Sequence, residues 1–179
     1  MIDLTDSVLK FSRQSGPSSI SNALCENIAG GCTVSLNHSV AALVAKGDPT
    51  HSLMHDWWAY LVVSAVGRIL YDSNTWIQYR QHSQNYIRGN RGFILHLTRR
   101  LTRIAARSSG VSRISEQLLD LLNIHGDLLY YKQRSQVQSL LVGKTSLSQR
   151  LKNCIVPPAT RQSWVDQLIL RGILLTNRY

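Results

Sequence analysis

Residues 54–85, reading MHDWWAYLVVSAVGRILYDSNTWIQYRQHSQN, bring an acid, paired tryptophans, an arginine and two histidines into one short stretch. A carboxylate such as Asp56 can take a proton, an imidazole such as His82 can bind a metal ion or donate to a phosphate, and a guanidinium such as Arg80 can meet an anion. No other part of the chain concentrates as many groups able to do chemistry.

The elements that must position them follow from local patterning. Residues 57–66, WWAYLVVSAV, are apolar almost all round, which predicts a helix packed inside a domain, and Gly67 supplies a stop. Asp56 then stands at the N-terminus of that helix, where Asp is a favoured cap. Residues 68–71 and 75–80 are β-prone runs separated by Asp72-Ser73-Asn74, a composition that predicts a hairpin. Alternation puts Trp76, Gln78 and Arg80 on one face of the second run and Thr75, Ile77 and Tyr79 on the other. Arg80, Gln81 and His82 emerge at its end, where sites are commonly built.

His55-Asp56-Trp57-Trp58, the small-and-apolar helix, Leu70-Tyr71-Asp72, Tyr79-Arg80-Gln81-His82 and Asn85 resemble, in order and spacing, the C-terminal half of the catalytic domain of family 2 glycosyltransferases. The likeness is greatest to the rhamnosyltransferase-like members that build bacterial surface polysaccharides such as O-antigen. Upstream, residues 27–33, NIAGGCT, and Asn37 resemble the segment that precedes the acid block in the same enzymes. The resemblance covers about residues 22–90, and the remainder only in general helical character.

The resemblance implies an α/β protein, the C-terminal portion of a GT-A fold, largely helical with a short hairpin or few strands. It implies transfer of a sugar from a nucleoside diphosphate donor to an acceptor hydroxyl, with Asp56 as general base. His55, Trp57, Trp58 and Gly31 fall on the acceptor side. A tryptophan can offer a sugar ring a flat apolar platform, but only one of two adjacent helical residues can point the right way. Arg80 and His82 match the groups that face the departing diphosphate, with His82 also a metal ligand. The implied cofactor is a divalent cation, Mg or Mn. Structural roles compete for each residue: a helix cap for Asp56, core packing for the tryptophans, an ion pair with Asp72 for Arg80, and a plain loop position for His82.

GT-A enzymes hold metal and diphosphate with an Asp-x-Asp type motif in an N-terminal nucleotide-binding half, and no such motif occurs in this sequence. Residues 1–90 are therefore expected to be the acceptor-side half of a catalytic domain. Residues 91–179 are expected to be a basic helical extension, with the nucleotide-binding half a possible separate partner. On this expectation the chain alone is inactive.

Composition sets wider bounds. A chain of 179 residues with 44% hydrophobic content is long enough for a sizeable core and argues against disorder. No stretch has the length and apolarity of a membrane span and the N-terminus has no signal-peptide pattern, so a cytoplasmic location is expected. Cys25, Cys32 and Cys154 form no C-x-x-C pair and are odd in number, which predicts reduced thiols. His51 and His55 stand four apart, but Ser52 replaces the glutamate that a metalloprotease helix carries there.

Charge is uneven. Up to residue 87 there are five Lys and Arg against six Asp and Glu; from residue 88 there are fifteen against four, and the net charge is +10. In residues 91–107, Phe93, Leu97, Leu101 and Ile104 share one helical face, and His96, Arg99, Arg100, Arg103 and Arg107 the other. Such a helix suits an anionic membrane surface or simply a solvated face over a buried stripe. Beyond it, Ser112 is expected to cap a helix ending near Gly126, a second helix to cover residues 127–142, and Thr160 to cap a last one after Pro157-Pro158.

Two functions of different class follow. One is a glycosyltransferase, peripheral at the inner membrane face, acting on a saccharide or lipid-linked acceptor. The other is a small basic helical module binding nucleic acid or another anionic surface, for which a pI near 10.0 is the main support.

Overall fold

The computed structural model describes residues 17–47, 49–72, 74, 77 and 113–179. The chain divides into two compact units, one of Met1–Gln14 with Asp72–Ser108 and one of Ser15–Tyr71 with Ser109–Tyr179. The first lies almost wholly outside the described residues, and the second holds nearly all of them. The described residues are mostly helical and contain no strand. Residues 68–71, the expected first arm of a hairpin, carry no strand; of the second arm, residues 75, 76 and 78–80 lie outside the described set. The basic segment 91–107 and Ser112 also lie outside it.

Helix α1, Ile20–Ala23, starts at Ser19, whose hydroxyl accepts from the Asn22 N–H at 3.2 Å. Helix α2, His38–Ala45, starts at Asn37, whose side chain accepts from the Val40 N–H at 2.9 Å. Past its end Gly47 adopts φ +76, a left-handed conformation that glycine takes without steric cost, and Ile124 packs onto it so closely that a Cβ would lie 2.9 Å from its Cγ2.

Helix α3, His55–Val66, is the all-round apolar helix, and Trp58, Ala59, Tyr60, Leu61, Val62, Val63 and Ala65 are buried. Gly67 ends it, donating its N–H to the Val63 carbonyl at 2.8 Å. Each large aliphatic side chain buried here stabilises the fold by about 1.5–3 kcal/mol. The N-cap is Met54 rather than Asp56, and no side chain caps the helix. The Asp56 carboxylate is turned to other donors, described below.

Helices α4 (Arg113–His125), α5 (Tyr131–Gly143), α6 (Leu147–Ile155) and α7 (Trp164–Leu175) follow, each packed on the next or on α3. A 3-10 turn, Gly126–Leu128, separates α4 from α5, so the second of these helices begins later than patterning suggests. At its start the Gln133 side chain accepts from the Tyr130 N–H at 2.9 Å. Helix α7 begins after Ser163 rather than Thr160. Thr160 is engaged elsewhere: its N–H donates to the Ser21 carbonyl at 2.8 Å and its carbonyl accepts from Asn22 at 3.0 Å.

That link joins the two ends of the unit. Glu26 reinforces it, one carboxylate oxygen accepting from the Asn22 amide at 2.9 Å and from the Gln162 N–H at 2.8 Å. Leu61, Val62, Leu118, Leu121, Val137 and Leu174 are among the side chains of the core cluster. Among the described residues no helix is long and apolar enough to cross a membrane.

Candidate functional site

The loop after α1 sets the Asp56 environment. Asn27 Oδ1 accepts from the Ala29 N–H at 3.0 Å, an Asx turn that orients the side chain and leaves its amide group to donate outward. That amide reaches Asp56 Oδ1 at 3.0 Å. Next along the loop, a 3-10 turn, Gly31–Thr33, is closed by the Thr33 hydroxyl and N–H on the Gly30 carbonyl, both at 2.8 Å. Its first residue, Gly31, donates its N–H to Asp56 Oδ2 at 3.1 Å.

A third donor, the Trp57 N–H, lies 2.8 Å from Asp56 Oδ1. A carboxylate offers about four acceptor positions. Among the described residues Oδ1 uses two and Oδ2 one, so Oδ2 keeps a position for a further donor. The negative charge also lies in the first turn of a twelve-residue helix, where it is favourable.

His55 completes this surface. Its ring lies over Gly31 so closely that a Cβ there would come 2.7 Å from His55 Nε2, and both residues are exposed while Asp56 is half-buried. Glycine is required at position 31 for that approach, which brings His55, Asp56 and Gly31 together as the sequence reading grouped them. Asn27 was not among the expected site residues. Its signal was local: an Asn two residues before a small residue, at the mouth of a Gly-Gly loop.

The tryptophans diverge. Trp57 is half-buried and its indole N–H donates to the Ala23 carbonyl at 2.7 Å, tying α3 to α1. Trp58 is 3% exposed, donates to the Val44 carbonyl at 3.1 Å, and faces His125 with ring centroids 6.0 Å apart. Trp58 is thus a core residue that links α2, α3 and α4, and its ring offers no surface to an acceptor. Trp57 is the one nearer solvent.

Arg80 and His82 lie outside the described residues. His51 is not half of a metal pair with His55: its N–H and ring nitrogen face Asp120 at 2.9 and 3.4 Å. Among the described residues no three His, Cys, Asp or Glu side chains converge on a point where a metal ion would sit. All three cysteines are free thiols. Cys25 is buried, and desolvation pushes its pKa up to about 12, so it is protonated and unreactive.

His125 is 1% exposed, and neither ring nitrogen has a hydrogen-bond partner among the described residues. Burial, and secondarily the Lys46 charge, lower its pKa from 6.5.

Comparison with family models, with curated proteins and with solved structures returns no match for this chain.

Proposed function

We propose that this chain forms the acceptor side of a glycosyltransferase, moving a sugar from a nucleoside diphosphate donor to a saccharide acceptor of a bacterial surface polysaccharide, with rhamnose the sugar suggested by resemblance. The observation that carries the reading is the Asp56 carboxylate. Donors from Asn27 and Gly31 fix it at the edge of an exposed surface, with an acceptor position left on Oδ2.

In this reading the acceptor hydroxyl donates to Asp56 Oδ2. As its oxygen attacks the anomeric carbon, the proton passes to the carboxylate and the diphosphate departs with the electrons of the broken C–O bond. His55 and Trp57 border the acceptor. A divalent cation, Mg or Mn, would offset the charge on the departing diphosphate. The described residues do not form a site for it. By resemblance Arg80 and His82 face the diphosphate.

The test is transfer of labelled sugar from UDP- and dTDP-sugars to an oligosaccharide or lipid-linked acceptor, measured with the chain alone and with a nucleotide-binding half supplied. Transfer only in the assembled form supports the reading. A well-folded assembly that transfers nothing from any donor opposes it.

Net charge favours a second reading, a basic module that binds a polyanion, since fifteen of the twenty Lys and Arg follow residue 87. Nucleic-acid binding that weakens steeply with salt, in a chain without transferase activity, would select it.

A further inference from the structure

Helices α6 and α7 turn apolar residues outward. In α6, Leu147, Leu151 and Ile155 recur at four-residue spacing and share one face, and all three are exposed, Ile155 at 70%. The opposite face carries Gln149 and Asn153, which join Ser139 of α5 through hydrogen bonds of 2.6–2.8 Å. The usual amphipathic arrangement is inverted: polar residues hold α6 to the fold and leucines meet solvent. In α7, Trp164, Leu168 and Leu175 fall on one face, all exposed, Trp164 at 75%, while Leu170 and Leu174 enter the core.

The charges beside these faces have one sign. Residues 144–179 contain six Lys and Arg and a single acid, Asp166, which is buried. Lys152 and Arg171 are exposed on the same two helices. Exposed apolar helix faces with cations on the same helices fit a surface that is apolar beneath and anionic at its edge. A second copy would set cations against cations with no exposed carboxylate to meet them.

We propose that the outward faces of α6 and α7 dock on an anionic phospholipid membrane. Leu151, Ile155, Trp164 and Leu168 enter the headgroup boundary, where tryptophan is favoured, and Lys152 and Arg171 meet lipid phosphates. Asp56 is not part of this surface, and the proposal holds whether or not the chain transfers a sugar.

The test is co-sedimentation of the full chain with vesicles of phosphatidylcholine alone and of phosphatidylcholine mixed with phosphatidylglycerol. The expected result is binding to the mixed vesicles, released by high salt. It should weaken roughly fivefold for each of Lys152→Gln and Arg171→Gln, since each cation at such a surface contributes about that factor. It should be lost in Leu151→Ser/Trp164→Ser, which changes only exposed side chains and leaves the circular dichroism unaltered. Absence of binding, or binding unchanged in these variants, overturns the proposal. So does a dimer that the serine variant dissociates, or tighter capture by an acidic polypeptide than by the mixed vesicles.

Discussion

The Gly31 N–H donates to Asp56 Oδ2 at 3.1 Å, joining residues 25 apart in the chain and fixing a loop against the first turn of α3. The Asn27 amide holds the other oxygen at 3.0 Å. The carboxylate therefore has a structural task and a chemical opportunity at once, and variants must separate the two.

Gly31→Ala probes the His55 contact. The added Cβ would meet His55 Nε2, the far end of an exposed side chain, which can swing aside for about 1 kcal/mol or less. Melting temperature should barely change, while KM for the acceptor should rise with little effect on kcat. An unchanged KM would remove His55 from the acceptor surface.

Asp56→Asn should cost stability. A capping Asp could be replaced by Asn almost freely, but Asp56 accepts on both oxygens, and the amide nitrogen of Asn would face either the Asn27 amide or the Gly31 N–H. A loss of about 1–2 kcal/mol in denaturant unfolding is expected. Asn27→Ala, which removes one of the donors and the Asx turn, should cost a similar amount.

Trp58→Phe tests the assignment of Trp58 to the core. The substitution leaves the Val44 carbonyl without its donor and opens space beside His125, so a destabilisation of about 1–3 kcal/mol is expected. Acceptor KM in the folded variant should be unaltered. A selective rise in KM would return Trp58 to the acceptor site.

His125 should make the unit acid-sensitive. Its folded pKa lies below the unfolded value near 6.5, so in acid the unfolded chain binds a proton that the folded chain does not. That contribution to stability is present above about 6.5 and is lost as pH falls below it. Denaturant midpoints followed from about pH 7.5 to about pH 5 should decline, and His125→Phe should flatten the part of the decline that centres on this residue.

The sequence was most legible where burial is uniform. Residues 57–66 read as a buried helix because apolar side chains cover every face, and Gly67 marked the end correctly. Caps were less legible, because several donors and acceptors compete for the same polar residue. Asp56 answers to Asn27 and Gly31, leaving Met54 as the N-cap, and Thr160 is bound to Ser21 and Asn22, leaving Ser163 to begin α7. Helix α6 escaped notice because its leucines face outward and its anchoring residues, Gln149 and Asn153, are polar. Among the site residues, His55 and Asp56 are neighbours in sequence, whereas Gly31 was placed beside them by resemblance alone, and its N–H lies 3.1 Å from Asp56 Oδ2. Asn27 carried only a local signal for a turn, and nothing in that signal names Asp56 as the partner of its amide.

The most direct measurement is kcat of Asp56→Asn in the assembled, sugar-transferring enzyme, taken at a temperature where circular dichroism shows the variant fully folded. Loss of the general base should lower turnover by roughly two to four orders of magnitude while substrate binding is retained. Turnover close to that of the unsubstituted enzyme would contradict the role of Asp56 and leave it as a clamp between Asn27, Gly31 and α3.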